Sequence, residues 1–156
     1  MSVYNQMLNG KQQTAFEVSE IPLETTRVVI FNGDFDAFAA CFHLPHLMES
    51  AEDKKVLKTR EDLRDVFLSV TEDIARKCVT NLVRICEIAE YRGNTRIKAT
   101  HMTHMMSGDQ RVKEPFPSLS MIELIDGIWK VSASQYAVDK TTTVGRALCA
   151  KRPNLS

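Results

Sequence analysis

No run in the 156-residue sequence approaches the roughly 18 apolar residues that span a bilayer; stretches such as Val28-Val29-Ile30-Phe31 are short. A membrane-spanning protein is therefore not expected. Neither sign of charge is in excess, with 20 Lys and Arg against 20 Asp and Glu. This removes the usual electrostatic argument for nucleic acid or an anionic membrane surface as a partner. No CxxC pair occurs among Cys41, Cys78, Cys86 and Cys149. A disulfide or zinc framework would want tighter spacing or histidines placed among the cysteines, so they read as reduced thiols of a cytoplasmic protein. The start, MSVYNQMLNGKQQ, lacks the charged opening and apolar core of a secretory signal. Internal repeats and low-complexity blocks are also missing.

What is present is the composition of an ordinary folded domain, 44% hydrophobic and 26% charged. The length suits one domain, which buries enough surface to need no covalent staple. Residues 1–21 read as a loose arm, or a short helix around Tyr4, Met7 and Leu8. Pro22 is expected to open a helix that stops at Asn32-Gly33. Asp34 caps a second short helix carrying Phe35, Phe38, Ala39 and Phe42, and Pro45 ends any helix there. His46 to Ser50 reads as a strand followed by a turn at Ala51–Lys54. Thr59 with Asp62 resembles a capping box, and behind it Leu63, Val66, Phe67, Val70 and Ile74 recur at helical spacing. Four strands follow: Asn81–Tyr91, Thr95–Met106, Leu119–Ile125 and Ile128–Val138. Asp126-Gly127 between the last two is a strong hairpin mark. Residues 139–156 read as a surface tail. Helices grouped before an antiparallel meander predict an α+β fold in which the sheet curls around the helices.

The segment FNGDFDAFAACF, the helix TREDLRDVF and the hairpin ending IDGIWKVS, in that order and spacing, resemble the nuclear-transport-factor-2-like superfamily. The match is closest to its SnoaL-like group of small bacterial proteins and covers about residues 22–138. The resemblance implies a cone-shaped α+β fold: a curved antiparallel sheet wraps around N-terminal helices and leaves a pocket at the open end. It also implies a homodimer paired through the outer sheet face. Members include ketosteroid isomerase, scytalone dehydratase, limonene-epoxide hydrolase and polyketide cyclases, beside binding and dimerisation modules without activity, so the fold does not fix the function. Setting the isomerase's Gly-Asp turn on Gly33-Asp34 places its oxyanion tyrosine on Thr26, its carboxylate base on Ser50 and its protonated aspartate near Met121. None is retained, and Ser50 alone cannot abstract a proton. The residue sets of the epoxide hydrolase and the dehydratase are not recognisable either.

The histidines form two pairs, His43/His46 and His101/His104. On a strand an i,i+3 pair points to opposite faces, so His101 and His104 are not a chelating pair, and neither a metal nor a cofactor is expected. The resemblance turns Ser50 toward the cavity, with Met48 and His46 on the same face. It likewise turns Lys98, Thr100, Met102, His104 and Met106 inward, together with Met121 and Glu123. Trp129, Val131, Ala133 and Gln135 share one face, taken as inward. The pocket is then lined by His46, Met48, Ser50, Thr100, Met102, Met121 and Gln135. Its methionines suit a flat or greasy ligand as well as they suit core packing. His104 beside Glu123 is the candidate catalytic pair, an imidazole base oriented by a carboxylate, although a structural hydrogen bond explains the same residues. No serine triad is supported, and Lys113–Ser120 is either a lid over the pocket or a plain connection.

Three readings follow: a lyase, isomerase or hydrolase acting on an apolar small molecule without a cofactor, a binding module that uses the same pocket without turnover, or a structural dimer. In all three a homodimer is expected, with Ile97, Ala99, Thr103 and Met105 on the outer face, too apolar to stay fully wet.

Overall fold

Thr14 and Glu17 form a reciprocal capping box, which starts the first helix, α1, at Ala15–Asn32. The computed structural model describes residues 13–136. The helix therefore begins well before Pro22, and the expected arm is helical from Ala15 onward. Pro22 sits inside α1, where it cannot donate to the carbonyl one turn back. The expected short helix around Tyr4, Met7 and Leu8 and the tail at 139–156 lie outside the described residues. Gly33, in the left-handed conformation, ends α1 by donating to the Val29 carbonyl at 3.0 Å. Asp34 caps α2, Phe35–Ala39. The box at Thr59 and Asp62 starts α3, Arg60–Arg76. It buries Leu63, Val66, Phe67 and Ile74 on one face, as their spacing predicts.

The strands are β1 (Phe42–Glu49), β2 (Lys54–Leu57), β3 (Asn81–Tyr91), β4 (Arg96–Ser107), β5 (Gln110–Arg111), β6 (Phe116–Ile125) and β7 (Ile128–Tyr136). They form one curved, unclosed sheet in the order β2-β1-β7-β6-β4-β3, with β5 paired to β4. The expected meander runs through β3, β4, β6 and β7. Phe42, expected on the second helix, instead opens β1, which runs through Pro45 and starts four residues before the expected strand at His46. β5 was not expected, and β6 starts at Phe116, so the later part of Lys113–Ser120 is strand rather than a lid or a plain connection. The edge and the pairing also depart from the expectation. The short charged strand β2 extends the edge, and β1 joins β7 in parallel, so the sheet is mixed. The hairpin at Asp126-Gly127 has positive φ at both residues, 51° and 79°, the twist that a two-residue connection between right-twisted strands needs.

The inner sheet face carries two apolar clusters. One gathers Phe35, Phe38, Leu57, Leu63, Phe67, Met105 and Phe116 under α2 and α3. The other gathers Val18, Cys86, Ile97, Ile122, Trp129 and Val131 under the start of α1. Between them the same strands turn polar. Along β4 the inward residues run Ile97, Ala99, His101, Thr103, Met105; along β6 they run Phe116, Ser118, Ser120, Ile122. On β3, Arg84 lies between inward Leu82 and Cys86. A polar belt therefore crosses the middle of the sheet.

Candidate ligand-binding site

The belt borders a cavity of about 120 Å³. Its walls are mainly apolar, including Phe38, Phe42, Met48, Val66, Val70 and Met105, with Thr26, His46, Arg84, His101, Thr103 and Tyr136 as the polar contributors. A side lobe of about 50 Å³, bordered by Ser19, Ser120 and Ser134, shares Thr26, Phe42, Arg84, His101 and Tyr136 with it.

His46 sits in the middle of β1, only 1% exposed. Its Nδ1 lies 3.2 Å from the Val131 carbonyl and its Nε2 lies 3.1 Å from Ser134 Oγ. A carbonyl only accepts, so Nδ1 carries the proton and Nε2 accepts from the serine hydroxyl. His101 Nε2 lies 2.7 Å from Ser118 Oγ. Burial pushes both rings down to about 4, against the Val131 hydrogen bond in His46 and with the help of the Arg84 charge in His101. Both are neutral near pH 7.

Arg84 donates from Nη1 to Thr26 Oγ1 at 2.6 Å, and the Thr26 hydroxyl donates to the Pro22 carbonyl at 2.8 Å. Loss of water pushes the guanidinium below its ordinary value, an effect that the nearby Tyr136 opposes. Among the described residues no group of three His, Cys, Asp or Glu side chains could hold a metal ion. Nor is any helix of the described residues long and apolar enough to cross a membrane.

The structure separates the expected catalytic pair. Glu123 lies opposite Arg96 in the β4–β6 register, while His104 is eight residues further along β4 and opposite Val83 on β3. At about 3.3 Å per residue the two are on the order of 25 Å apart. Glu123 forms an ion pair with Arg96 at 2.9 Å, and hydrogen bonds from Ser132 and Arg96 hold its carboxyl below the usual range. His104 is on the outer face and does not border the cavity. The inward set on β4 is the opposite of the expected one: His101, Thr103 and Met105 line the cavity, and Thr100, Met102, His104 and Met106 alternate away from it. Ile97, Ala99, Thr103 and Met105, expected on the outer face, are buried inside.

Of the expected pocket residues, His46 and Met48 line the cavity. Ser50 lies past the end of β1, where its hydroxyl accepts from the Glu52 and Asp53 backbone and shapes the turn. Ser50, Thr100 and Gln135 border a separate, more open groove of about 320 Å³, beside Leu119 and Pro117. Met102 and Met121 share the outer face with them. On β7 Trp129 and Val131 point inward as expected. The register against β6 then shifts, with Ile122 opposite Val131 and Met121 opposite Ala133, so Ser132 is the extra residue. Beyond it Ser134 faces inward and Gln135 outward.

Arg84, His101, Ser118 and Ser134 were not expected in the site. For β4 a signal was available. Arg96 and Lys98 flank Ile97, and charged positions on a strand mark its wet face. For Arg84 the signal is inverted, since its flanking Val83 and Ile85 are the exposed residues, 39% and 52%.

Neither a protein-family model nor a curated protein matches the sequence. Solved structures do match the fold. A protein of unknown function from Shewanella oneidensis, described as like nuclear transport factor 2, superposes with a TM-score of 0.62 at 10% identity, over 78% of this chain and 98% of that one. A domain of unknown function with a cystatin-like fold from Nostoc punctiforme gives 0.61 at 14% identity, over 82% and 80%. A ketosteroid isomerase-like protein from Erwinia carotovora gives 0.60 at 13%, over 81% and 97%. At such identities a likeness speaks for architecture, and the chain has the nuclear-transport-factor-2-like, cystatin-like fold.

Proposed function

We propose that the protein binds a small, mainly apolar molecule in the cavity between the polar belt and the cluster under α2 and α3, without turnover. The observation that carries this reading is a mainly apolar cavity with a few convergent polar groups, the usual anatomy of a ligand site. An apolar cavity of about 150 Å³ holds a benzene ring, so this one suits a ligand with about one ring.

Catalysis is the weaker reading on three grounds. His46 has both ring nitrogens engaged. His101 has no carboxylate partner among the described residues, and its pKa of about 4 makes it a poor base near neutral pH. The separation of His104 from Glu123 removes the original candidate.

Titration with toluene, followed by 1H–15N NMR, tests the proposal. The amides of Val66, Val70 and Met105 should shift together and saturably. Shifts confined to Thr100, Leu119 and Gln135, or none at all, would overturn it.

The outer face supports a second element of the proposal, a homodimer. Val83, Ile85 and Ile88 are 39%, 52% and 59% exposed along β3. A second copy on this face would cover these exposed apolar side chains. Sedimentation should give twice the 17.7 kDa chain mass, and a clean monomer would remove the dimer. Cys41, Cys78 and Cys86 are free thiols, which fits a reducing, cytoplasmic setting.

A further inference from the structure

A charge withdrawn from water needs a counter-ion or a full set of hydrogen bonds to replace its solvent. Arg84 has neither. It lines both lobes of the cavity. Its Nη1 is held by Thr26, and among the described residues no ion pair or further hydrogen bond engages the Nη2 and Nε edge. Glu24, the one carboxylate whose attraction reaches it, is exposed and is held by Arg27 at 2.5 Å. Arginine does not shed its proton in a protein, so the charge remains.

The free edge of a guanidinium presents two parallel N–H donors, the geometry that a carboxylate accepts. The other basic groups lining the cavity, His46 and His101, are neutral near pH 7 and supply no second charge. One cation balances one monoanion, whereas a dianionic phosphate would keep an uncompensated charge.

Resting on the binding reading above, we infer that Arg84 anchors a carboxylate, and that the ligand class is a small carboxylic acid with an apolar body of about one ring. The carboxylate sits on the Nη2 and Nε edge, and the ring extends toward Phe38, Val66 and Met105. Thr26 fixes the guanidinium in place before the ligand arrives, which lowers the ordering cost of binding.

The test is calorimetric titration of the whole chain with benzoate and with benzamide, its neutral counterpart of similar shape. Arg84→Met and Arg84→Lys are titrated in parallel. Hydrogen bonds to a charged group imply that the wild type prefers benzoate by about ten- to a hundredfold. Arg84→Met should lose that preference and keep its affinity for benzamide, and Arg84→Lys should retain part of it. A second readout needs no ligand. An unpaired guanidinium burdens the free protein, so the Tm of Arg84→Met should equal or exceed that of the wild type. Equal affinity for the two probes would overturn the inference and leave the cavity reading standing, as would a preference that survives in Arg84→Met. A large drop in Tm for Arg84→Met would identify a structural arginine and also overturn it. If neither probe binds the wild type, both readings fall.

Discussion

The two ends of the inner sheet face and its middle are built from the same strands in opposite ways. At the ends, Phe35, Phe38, Phe67 and Leu63, or Val18, Ile97, Ile122 and Trp129, exclude water by ordinary packing. In the middle the inward positions are His46, Arg84, His101, Thr103, Ser118, Ser120 and Ser134. The ends gain stability from the area they bury. The middle must find a hydrogen-bond partner for each polar group and returns little stability for it. Such an investment is expected where a site is being shaped. The difference assigns stability to the ends and recognition to the belt.

The sharpest way to break that division is to truncate an end. Phe67→Ala removes a ring that packs on Phe35 and Phe38, with centroids 5.5 and 4.9 Å away, and should cost about 3–5 kcal/mol in urea unfolding. A cost below that of the belt substitution described below would undo the comparison.

Acid tests the belt itself. The rings of His46 and His101 stay neutral in the folded protein down to about 4, while in the unfolded chain they take up a proton from about 6.5. Between those values the unfolded state binds more protons, so stability is full above about pH 6.5 and falls as the pH drops toward about 4. Each ring contributes roughly 3 kcal/mol at most, from about 1.4 kcal/mol per pKa unit. A series of Tm values from pH 8 to pH 4.5 should show the slope, and His101→Gln should flatten it. A flat wild-type profile would contradict the buried neutral rings.

A smaller effect is expected from Ser134→Ala, which takes away the donor to His46 Nε2. The stranded acceptor should cost about 1–3 kcal/mol. Smallest of all are His104→Ala and Glu123→Gln on the outer face. Each should stay within about 0.5 kcal/mol of wild type and leave toluene binding unchanged. Loss of binding in either would restore the outer face as a candidate site.

The strongest local signals were legible in the sequence. The Thr59 capping box, the α3 apolar stripe and the Asp126-Gly127 hairpin are governed by neighbours in the chain, and the structure has all three. The start of α1 was equally local, since Thr14 and Glu17 form a capping box, yet Pro22 drew the boundary to itself. The site was less legible because strand parity is set by pairing partners far away. Both faces of β4 carry a histidine, a threonine and a methionine, so residue type alone cannot orient it. On β7 the extra residue Ser132 reverses the face between Val131 and Ser134, and such a bulge leaves no mark in composition. Arg84 was hidden for another reason: a charge between apolar residues of a strand reads as the wet side, and here its apolar neighbours are the wet side.

The central claim is that the belt surrounds a ligand site. The most direct measurement is a crystal structure of the protein with benzoate bound. The account predicts a ring in the main cavity near Val66 and Met105, with its carboxylate on the free edge of Arg84. Benzoate found only in the outer groove beside Thr100, Leu119 and Gln135, with the interior empty, would contradict it.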